Sequence, residues 1–218
     1  MIFQGFIRVG AVCPRLQLGD PSKNASIIED WLGRAEEQHV GILTFPELCL
    51  TGYTCADLFH LDALLEGTLD GLRAIVDASR KRFSGVFVIG MPLRIGTSLF
   101  NCACVIQQGK MLGLIPKSFL PNYKEYYERR WFSPASDQLP SEMPLLGQKV
   151  PLGTDLLFAH DQEDRFVFGV EVCEDLWVPI PPSSRQALAG ASLLLNLSAS
   201  NEVIGKSSYR RQLVVNQS

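Results

Sequence analysis

The first part of the chain alternates short apolar runs with stretches whose apolar residues recur at helical spacing. Residues 7–12 and 40–45 are mostly apolar and predict buried strands, the second of which ends at Pro46. Between them, Asp20-Pro21 is typical of a helix start, with an acceptor at the cap and a proline in the first turn. The side chains predicted to face the core from this helix are Ile27, Ile28, Trp31, Leu32 and Ala35.

A longer helix is predicted next, and after it the apolar runs come in pairs. The helix extends from Ala56 onward, because apolar residues keep helical spacing as far as Val76. Gln108-Gly109-Lys110 predicts a hairpin turn. Further strands are predicted at residues 86–89, 101–107, 111–115, 156–159, 166–172 and 193–197, and a short helix at 183–189. This mixture predicts a mixed sheet, or two sheets packed face to face with helices outside.

Two segments give a weaker pattern. Pro121 to Phe132 is aromatic and charged, which predicts a short helix or a structured loop. The proline-rich sequence that follows, as far as about Pro151, is expected to be irregular. A fresh apolar segment begins at Leu213, so we expect the domain, and the protein, to continue past Ser218.

Composition narrows the classes of function. With 218 residues, 46% hydrophobic and 20% charged, the chain can form one large α/β domain over residues 1–218. A net charge of −3 predicts no nucleic-acid partner, and the pair Arg129-Arg130 fits a solvated or salt-bridged face. The chain begins without a signal peptide and its apolar runs are too short to span a bilayer, so no membrane association is expected. Six cysteines in this context indicate free thiols in a reducing compartment, and we expect the cytoplasm.

Three reactive side chains follow predicted strands. Glu47, Lys117 and Cys173 each come shortly after an apolar run. A thiol needs a base to remove its proton, and Glu47 could accept that proton and return it to a departing amine. Lys117 and the N–H after Cys173 could stabilise the oxyanion of a tetrahedral intermediate. These groups together could cut an amide through a thioester without a histidine.

Each of the three also has an ordinary explanation. A cysteine at the end of a strand is often an inert core thiol. A glutamate or a lysine beside a strand is most often a solvated surface group. The three residues are far apart in the sequence, so their spacing does not link them. From residue types alone, a catalytic site is therefore one interpretation among several.

Three longer motifs bring in a family resemblance. Residues 44–53 (TFPELCLTGY), 116–123 (PKSFLPNY) and 171–177 (EVCEDLW) resemble, in this order, the motifs of the nitrilase superfamily of carbon–nitrogen hydrolases. The similarity extends through most of the chain. It implies a four-layer αββα sandwich, with two mixed sheets inside and helices outside. It also implies that the catalytic triad of that family falls on Glu47, Lys117 and Cys173.

One branch of this family is matched more specifically. Residues 123–132 (YKEYYERRWF) and 173–177 (CEDLW) resemble the glutaminase domain of glutamine-dependent NAD synthetases. The resemblance implies that Tyr123, Ser200 and Lys206 hold the substrate, glutamine. Taken singly, the same residues would fit a packing aromatic, a turn former and a solvated side chain.

The same resemblance implies partners and cofactors. In that branch the ammonia passes to a C-terminal synthetase domain, which uses ATP to amidate nicotinic acid adenine dinucleotide. The phosphate loop of such a domain, Ser-Gly-Gly-x-Asp-Ser, does not occur in this chain. ATP and Mg²⁺ are therefore expected in the synthetase domain, with no cofactor and no metal in this one. Relatives of this fold generally assemble, so a homo-oligomer is expected.

Other classes of function stay open at this point. A cysteine–histidine hydrolase would need a histidine beside Cys173, but none stands in a recognisable nucleophile motif, and exposed histidines are the better interpretation. The histidines available are His39, His60 and His160. A zinc site would have to use Cys49, Cys55, Cys102 and Cys104. Their spacing and apolar setting favour core packing.

Two alternatives to a glutaminase also follow from the sequence. One is a stand-alone carbon–nitrogen hydrolase that acts on another small amide or a nitrile. The other is an inactive scaffold or docking module, in which missing terminal strands leave sheet edges exposed and the site incomplete. The length of the full protein and the presence of the synthetase phosphate loop would separate these possibilities.

Overall fold

Two β-sheets packed face to face form the centre of the fold. The computed structural model describes residues 2–3, 5–161 and 163–218. Its strands are β1 (Ile2–Phe3), β2 (Phe6–Ile7), β3 (Val9–Ala11), β4 (Ile42–Thr44), β5 (Val86–Ile95), β6 (Ser98–Gln107), β7 (Lys110–Pro116), β8 (Glu142–Leu145), β9 (Gln148–Pro151), β10 (Leu157–His160), β11 (Glu163–Val172) and β12 (Leu193–Leu197). The larger sheet has the order β3-β4-β5-β6-β7 and the smaller one β10-β11-β12, while β1-β2 and β8-β9 form two short pairs.

Helices on the outer faces complete the layers. The α-helices are α1 (Pro21–Glu37), α2 (Asp62–Arg82), α3 (Pro182–Leu188) and α4 (Lys206–Gln217). α1 and α2 share one core with the outer face of the larger sheet, and α3 packs on β11 and β12. A second core between the sheets contains Ile42, Val88, Ala103, Val170 and Leu195. The predicted αββα sandwich is confirmed.

The first helix follows the sequence prediction closely. The Asp20 side chain accepts a hydrogen bond from the Lys23 amide at 2.9 Å, and Pro21 occupies the first turn. Of the residues predicted to face the core, Ile28, Leu32 and Ala35 are buried, and Ile27 and Trp31 are partly buried. An amphipathic stripe and a polar cap are therefore sufficient to specify this element.

Two other helices differ from the prediction. The helix predicted from Ala56 onward is divided, because residues 56–60 form a 3-10 turn and Leu61 is extended, with φ of −83° and ψ of 124°. The apolar segment expected to begin at Leu213 lies inside α4. The first residues of α4 are mostly polar, so the sequence shows no apolar residues at helical spacing there. Within the described chain, no helix combines the length and the apolar character needed to cross a membrane.

Turn geometry explains a hairpin that the sequence pattern missed. The proline-rich segment expected to be irregular contains β8 and β9, which are joined at Leu146 and Gly147 with φ of 49° and 77°. The predicted hairpin between β6 and β7 is confirmed, and its turn has the same form, with φ of 44° at Gln108 and 80° at Gly109. Two positive φ angles in a two-residue turn match the twist of paired strands.

Strand directions bring separate parts of the chain to one edge of the sandwich. β4 is parallel to β5, whereas β6 is antiparallel to both β5 and β7. β4 and β7 therefore end at the same edge of the larger sheet. In the smaller sheet, β11 and β12 are parallel and end together. Glu47, Lys117 and Cys173 follow the ends of β4, β7 and β11, respectively.

Gly90 allows the segment after β4 to lie directly on β5. The Phe45 amide donates to the Val88 carbonyl at 2.9 Å, and the Leu50 amide donates to the Gly90 carbonyl at 3.2 Å. A β-carbon added at Gly90 would lie 2.3 Å from the backbone nitrogen of Leu48. The position of this segment therefore depends on the absence of a side chain at residue 90.

We expect Gly90→Ala to destabilise the protein, because the added carbon must push the segment away from β5. The expected loss in free energy of unfolding is about 1–3 kcal/mol, as for overpacked cores. Urea unfolding followed by circular dichroism measures this loss. Gly33→Ala is the control, since a β-carbon there meets no atom within 4 Å. Because Gly33 lies inside α1, its replacement should raise stability by up to about 1 kcal/mol. Equal stability of the Gly90→Ala variant and the unmodified protein would contradict this account.

Candidate active site

Three strand ends meet in one buried cluster. Lys117 Nζ lies 2.7 Å from Glu47 Oε1, and both side chains are fully buried. Cys173 is also buried, and the charges of Glu47 and Lys117 both act on its thiol. The structure thus brings together the three residues singled out in the sequence. Their catalytic roles stay predictions.

Donors from both sheets hold the Glu47 carboxylate. Lys117 Nζ and Asn101 Nδ2 each donate to Oε1 at 2.7 Å. The Ala199 amide, which follows β12, donates to Oε2 at 3.0 Å. The backbone amide of Lys117 also donates to the backbone carbonyl of Asn101 at 2.8 Å. The carboxylate is therefore fixed by the larger sheet on one side and by the smaller sheet on the other.

A second buried carboxylate, Glu128, completes the surroundings of Lys117. Lys117 Nζ donates to both oxygens of Glu128, at 2.7 and 2.9 Å, and the Tyr53 hydroxyl donates to Oε1 at 2.7 Å. Burial disfavours the ammonium, but the negative charges around it, that of Glu47 foremost, raise the pKa of Lys117. Burial, followed by the charge of Glu47, raises the pKa of Glu128. One ammonium is therefore held between two carboxylates.

Cys173 occupies a strained turn. Its φ of 46° lies in the left-handed region, which residues other than glycine rarely adopt. Burial, followed by the negative charge of Glu47, raises the pKa of the thiol. The charge of Lys117 and hydrogen bonds from the Ser198 hydroxyl and the Ala199 amide act in the opposite direction. The thiol is therefore protonated at neutral pH in the resting site, and a base must remove its proton before it can attack.

Two of the predicted substrate residues lie beside this cluster. The Tyr123 hydroxyl donates to the carboxylate of Glu174, the residue after Cys173, at 2.9 Å. Burial, followed by this hydrogen bond, raises the pKa of Tyr123 to about 12, so the hydroxyl keeps its proton. Ser200 is partly buried and directly follows Ala199. Both residues are therefore placed next to the nucleophile or to the groups that hold Glu47, and their roles in binding stay predictions.

Lys206, the third predicted substrate residue, begins α4. Its Nζ donates to the side-chain oxygen of Asn201 and lies 3.4 Å from the Tyr126 hydroxyl. The same nitrogen is 5.5 Å from the ring centre of Tyr126 and 5.4 Å from that of Trp177. Trp177 belongs to the 3-10 turn that begins at Cys173. The ammonium is therefore held by two aromatic rings, one of them in the turn of Cys173, and by one amide, and its role in binding also stays a prediction.

Sequence reasoning missed two polar residues of the cluster. Glu128 lies in the segment for which a short helix or a structured loop was predicted, and it forms part of a 3-10 turn. Asn101 lies in a strand that was predicted correctly, yet nothing in its apolar neighbourhood marks it as a partner of Glu47. Both act through contacts between residues distant in sequence. Two signals were available for Glu128: the aromatic residues around it, which indicate a packed loop, and its place inside the motif at residues 123–132.

The alternative sites receive no support from the described residues. His39 and His60 are exposed, and His160 pairs with Glu163 at the opposite end of β11 from Cys173. Cys49, Cys102 and Cys104 are fully buried in the core under α1 and α2. Within residues 2–3, 5–161 and 163–218, no group of three or more histidine, cysteine, aspartate or glutamate side chains is arranged to bind a metal. Cys55 is buried in a separate apolar cluster, so all four cysteines considered for zinc pack in apolar cores.

Known proteins provide an independent comparison. The sequence profile of the carbon-nitrogen hydrolase family matches residues 8–216. The glutamine-dependent NAD(+) synthetase of Mycobacterium tuberculosis is 42% identical over 209 residues, which cover 96% of this chain and 30% of that protein. The synthetase of Thermotoga maritima is 32% identical over 195 residues, which cover 89% of this chain and 30% of that protein. The chain therefore spans less than a third of the length of these relatives.

Solved structures show the same fold. The glutamine-dependent NAD(+) synthetase of Cytophaga hutchinsonii superposes with a TM-score of 0.83 at 31% identity, covering 97% of this chain and 33% of that one. An amidase from Nesterenkonia has a TM-score of 0.75 at 20% identity, covering 97% of this chain and 71% of that one. The second comparison supports the fold alone. Since the family profile extends over nearly all of its residues, the chain belongs to the carbon–nitrogen hydrolase family.

Proposed function

We propose that this domain hydrolyses the side-chain amide of glutamine to glutamate and ammonia, with Cys173 as the nucleophile. The observation that carries the proposal is the buried ion cluster beside the thiol, in which Lys117 bridges Glu47 and Glu128 at 2.7 Å from each. It supplies a proton acceptor and a fixed positive charge next to a protonated thiol. Those are the groups that amide hydrolysis through a thioester requires.

In the first half of the reaction, the acyl group of the substrate is transferred to the thiol of Cys173. Glu47 accepts the proton of Cys173 as the sulfur attacks the amide carbon, and the carbonyl oxygen becomes an oxyanion. The charge of Lys117 and the N–H of Glu174 stabilise that oxyanion. Glu47 then donates its proton to the nitrogen as the carbon–nitrogen bond breaks. Ammonia leaves, and the acyl group remains on Cys173 as a thioester.

In the second half, water releases the product. Glu47 accepts a proton from a water molecule as its oxygen attacks the thioester carbon, and Lys117 again stabilises the oxyanion. The carbon–sulfur bond then breaks, and the sulfur of Cys173 recovers its proton from Glu47. Glutamine and water have become glutamate and ammonia, and each protein group has returned to its starting state. Glu128 keeps the ammonium oriented throughout.

The choice of glutamine rests on the polar groups around the turn of Cys173 and on the relatives. The Tyr123 hydroxyl and the Lys206 ammonium contact side chains of the turn that begins at Cys173. Together with the hydroxyl of Ser200, they suit the polar groups on the α-carbon of glutamine. The relatives that are 42% identical are named as glutamine-dependent enzymes. A site with buried polar groups discriminates strongly against substrates that leave those groups unpaired.

We further propose that residues 1–218 act as the glutaminase domain for a synthetase of the kind that the relatives represent. The released ammonia would be used to amidate nicotinic acid adenine dinucleotide in a C-terminal synthetase domain. ATP and Mg²⁺ would bind there, while no cofactor takes part in the chemistry at Cys173. A homo-oligomeric assembly and a cytoplasmic location stay predictions of the sequence analysis.

The first test replaces the nucleophile. We expect Cys173→Ala to abolish release of ammonia from glutamine while leaving thermal unfolding nearly unchanged, because the thiol forms the only proposed covalent bond to substrate.

Chemical labelling of the unmodified protein tests the same residue. Intact mass after incubation with 6-diazo-5-oxo-norleucine, followed by peptide mapping, should show a single adduct on Cys173, and glutamine should block it. Cys13→Ala, at an exposed thiol, is the control and should keep full activity. Turnover in the Cys173→Ala variant would rule out the mechanism. Hydrolysis of other small amides but not of glutamine would favour the stand-alone hydrolase.

The second test separates turnover from thiol reactivity. Glu47→Gln should lower kcat by about 10²- to 10⁴-fold, because the general base is lost. The same change removes a negative charge that helps to raise the pKa of Cys173, so more thiolate should be present at a given pH. Alkylation of Cys173 by iodoacetamide at pH 8, followed by peptide mapping, should therefore become faster. Glu66→Gln, at an exposed site on α2, should change neither rate. Slower alkylation of Cys173 in the Glu47→Gln variant would contradict the proposed electrostatics.

The third test addresses recognition of the substrate. Lys206→Met should raise KM for glutamine by about 10- to 100-fold, the usual effect of losing a hydrogen bond to a charged group. The rate of Cys173 alkylation by iodoacetamide should stay unchanged, because this small uncharged reagent does not need Lys206. Steady-state ammonia release and peptide mapping measure the two effects. Lys149→Met removes an exposed lysine from β9 and serves as the control. An unchanged KM in the Lys206→Met variant would remove Lys206 from the binding site.

A further inference from the structure

Asp175 is a buried carboxylate that has no part in the steps described above. It is 1% exposed and lies in the 3-10 turn that begins at Cys173. Its Oδ1 accepts the amide of Ser118 at 3.1 Å and that of Phe119 at 2.8 Å. Its Oδ2 accepts the amide of Val172 at 3.0 Å. A single side chain thus binds the backbone of two segments that are more than fifty residues apart.

These two segments carry the charge and the nucleophile of the proposed reaction. Ser118 and Phe119 directly follow Lys117, and Val172 directly precedes Cys173. Hydrogen bonds from amides to a buried carboxylate are charge-assisted and stronger than those between neutral groups. Since they hold the backbone, they restrict the position from which each side chain extends. Asp175 therefore fixes the backbone next to Lys117 and the backbone next to Cys173 relative to each other.

The bond to Val172 also explains how the strained turn persists. Cys173 has a φ of 46°, which is unfavourable for a residue with a side chain. Such conformations survive where the surrounding structure constrains them. Asp175 follows Cys173 by two residues and accepts a hydrogen bond from the amide of Val172, the residue before Cys173, which closes the turn. The turn and the segment after β7 consequently share one anchor.

We propose that Asp175 is a positioning residue that sets the distance between the Lys117 ammonium and the Cys173 sulfur. This role rests on the function proposed above, since the oxyanion must form where both groups can reach it. A displacement of about 1 Å in such a geometry can cost about 100-fold in rate. Asp175 acts through the backbone on either side and does not itself touch the reacting atoms.

The test uses Asp175→Asn, which keeps the size of the side chain. The side chain of asparagine has one oxygen and one NH2 group, and the NH2 group cannot accept a hydrogen bond from a backbone amide. Asp175→Asn should therefore lose the hydrogen bonds to one of the two segments. We expect kcat for glutamine to fall by about 10- to 100-fold. We expect KM to stay within about twofold, because the substrate-binding groups are untouched. A purely structural residue would instead lower the yield of folded protein without changing the kcat of the folded fraction.

Glu171→Gln provides a matched control. Glu171 is also a buried carboxylate and lies at the end of β11, two residues before Cys173, but it accepts hydrogen bonds from the Ser183 amide at 3.0 Å and from the Asn196 side chain at 3.1 Å. Those contacts attach α3 and β12, and none involves the segment after Lys117. Asn196 also donates to the Cys173 carbonyl at 3.3 Å, so Glu171→Gln affects the turn of Cys173 but not the segment after Lys117. The control should lose stability, as measured by thermal unfolding, and its kcat should fall less than that of Asp175→Asn. An equal fall in kcat in both variants, or an unchanged kcat in Asp175→Asn, would overturn the proposal.

Alkylation of Cys173 separates this inference from the proposed function. Iodoacetamide does not require glutamine to be recognised, and the charge of Lys117 favours the reactive thiolate. Asp175→Asn should therefore slow alkylation of Cys173 at pH 8 more than Glu171→Gln does. If the unmodified protein releases no ammonia from glutamine, the proposed function fails, and this comparison still decides the positioning role.

A measurement on the unmodified protein covers the case in which Asp175→Asn does not fold. Amide hydrogen exchange should show Ser118 and Phe119 as well protected as amides in the core strands, although both residues lie outside any strand. Protection at that level would support the attachment. Exchange at the rate of exposed loops would exclude a role for Asp175 in holding the segment after Lys117.

Discussion

The buried ammonium of Lys117 is the constraint on which the rest of the structure depends. Removing such a charge from water costs roughly several kcal/mol, and the charge is tolerated only with good partners. Glu47 and Glu128 are those partners, and each comes from a different loop. The end of β7, the segment after β4 and the loop that contains Glu128 must therefore adopt their positions together. Folding of the sandwich and assembly of the site are one event for this part of the chain.

The same cluster explains why the thiol of Cys173 stays protonated in the resting site. In the proposed mechanism, Glu47 must lie near Cys173 to accept its proton, but the burial of the site and the negative charge of Glu47 both raise the pKa of that thiol. A free thiolate is thus disfavoured in the resting state, although Lys117 acts in the opposite direction. Proton removal and attack on a carbonyl carbon are favoured together, because the developing oxyanion offers Lys117 a new negative partner.

Much of the fold could be predicted from local signals, and the site only in part. The cap at Asp20, the stripe along α1 and the turn at Gln108 and Gly109 each depend on neighbours in the sequence, and each was confirmed. The ends of apolar runs marked Glu47, Lys117 and Cys173 as candidates, but only the resemblance to the nitrilase motifs joined them in one site. Glu128 and Asn101 could not be found in this way. Their partners are distant in the sequence, and a single glutamate or asparagine carries no pattern of its own.

Under the proposed function, the arrangement also separates the groups that carry out the chemistry from the groups that recognise the substrate. Glu47, Lys117 and Cys173 follow strands of the two packed sheets, so their positions are fixed by the cores on either side. Tyr123 lies on a partly exposed loop and Lys206 opens α4, a helix without buried residues. Changes in the loop or in α4 can therefore alter which amide is accepted without moving the nucleophile. A family with one chemical cluster can acquire different substrates because its recognition groups lie outside the cores that hold the cluster in place.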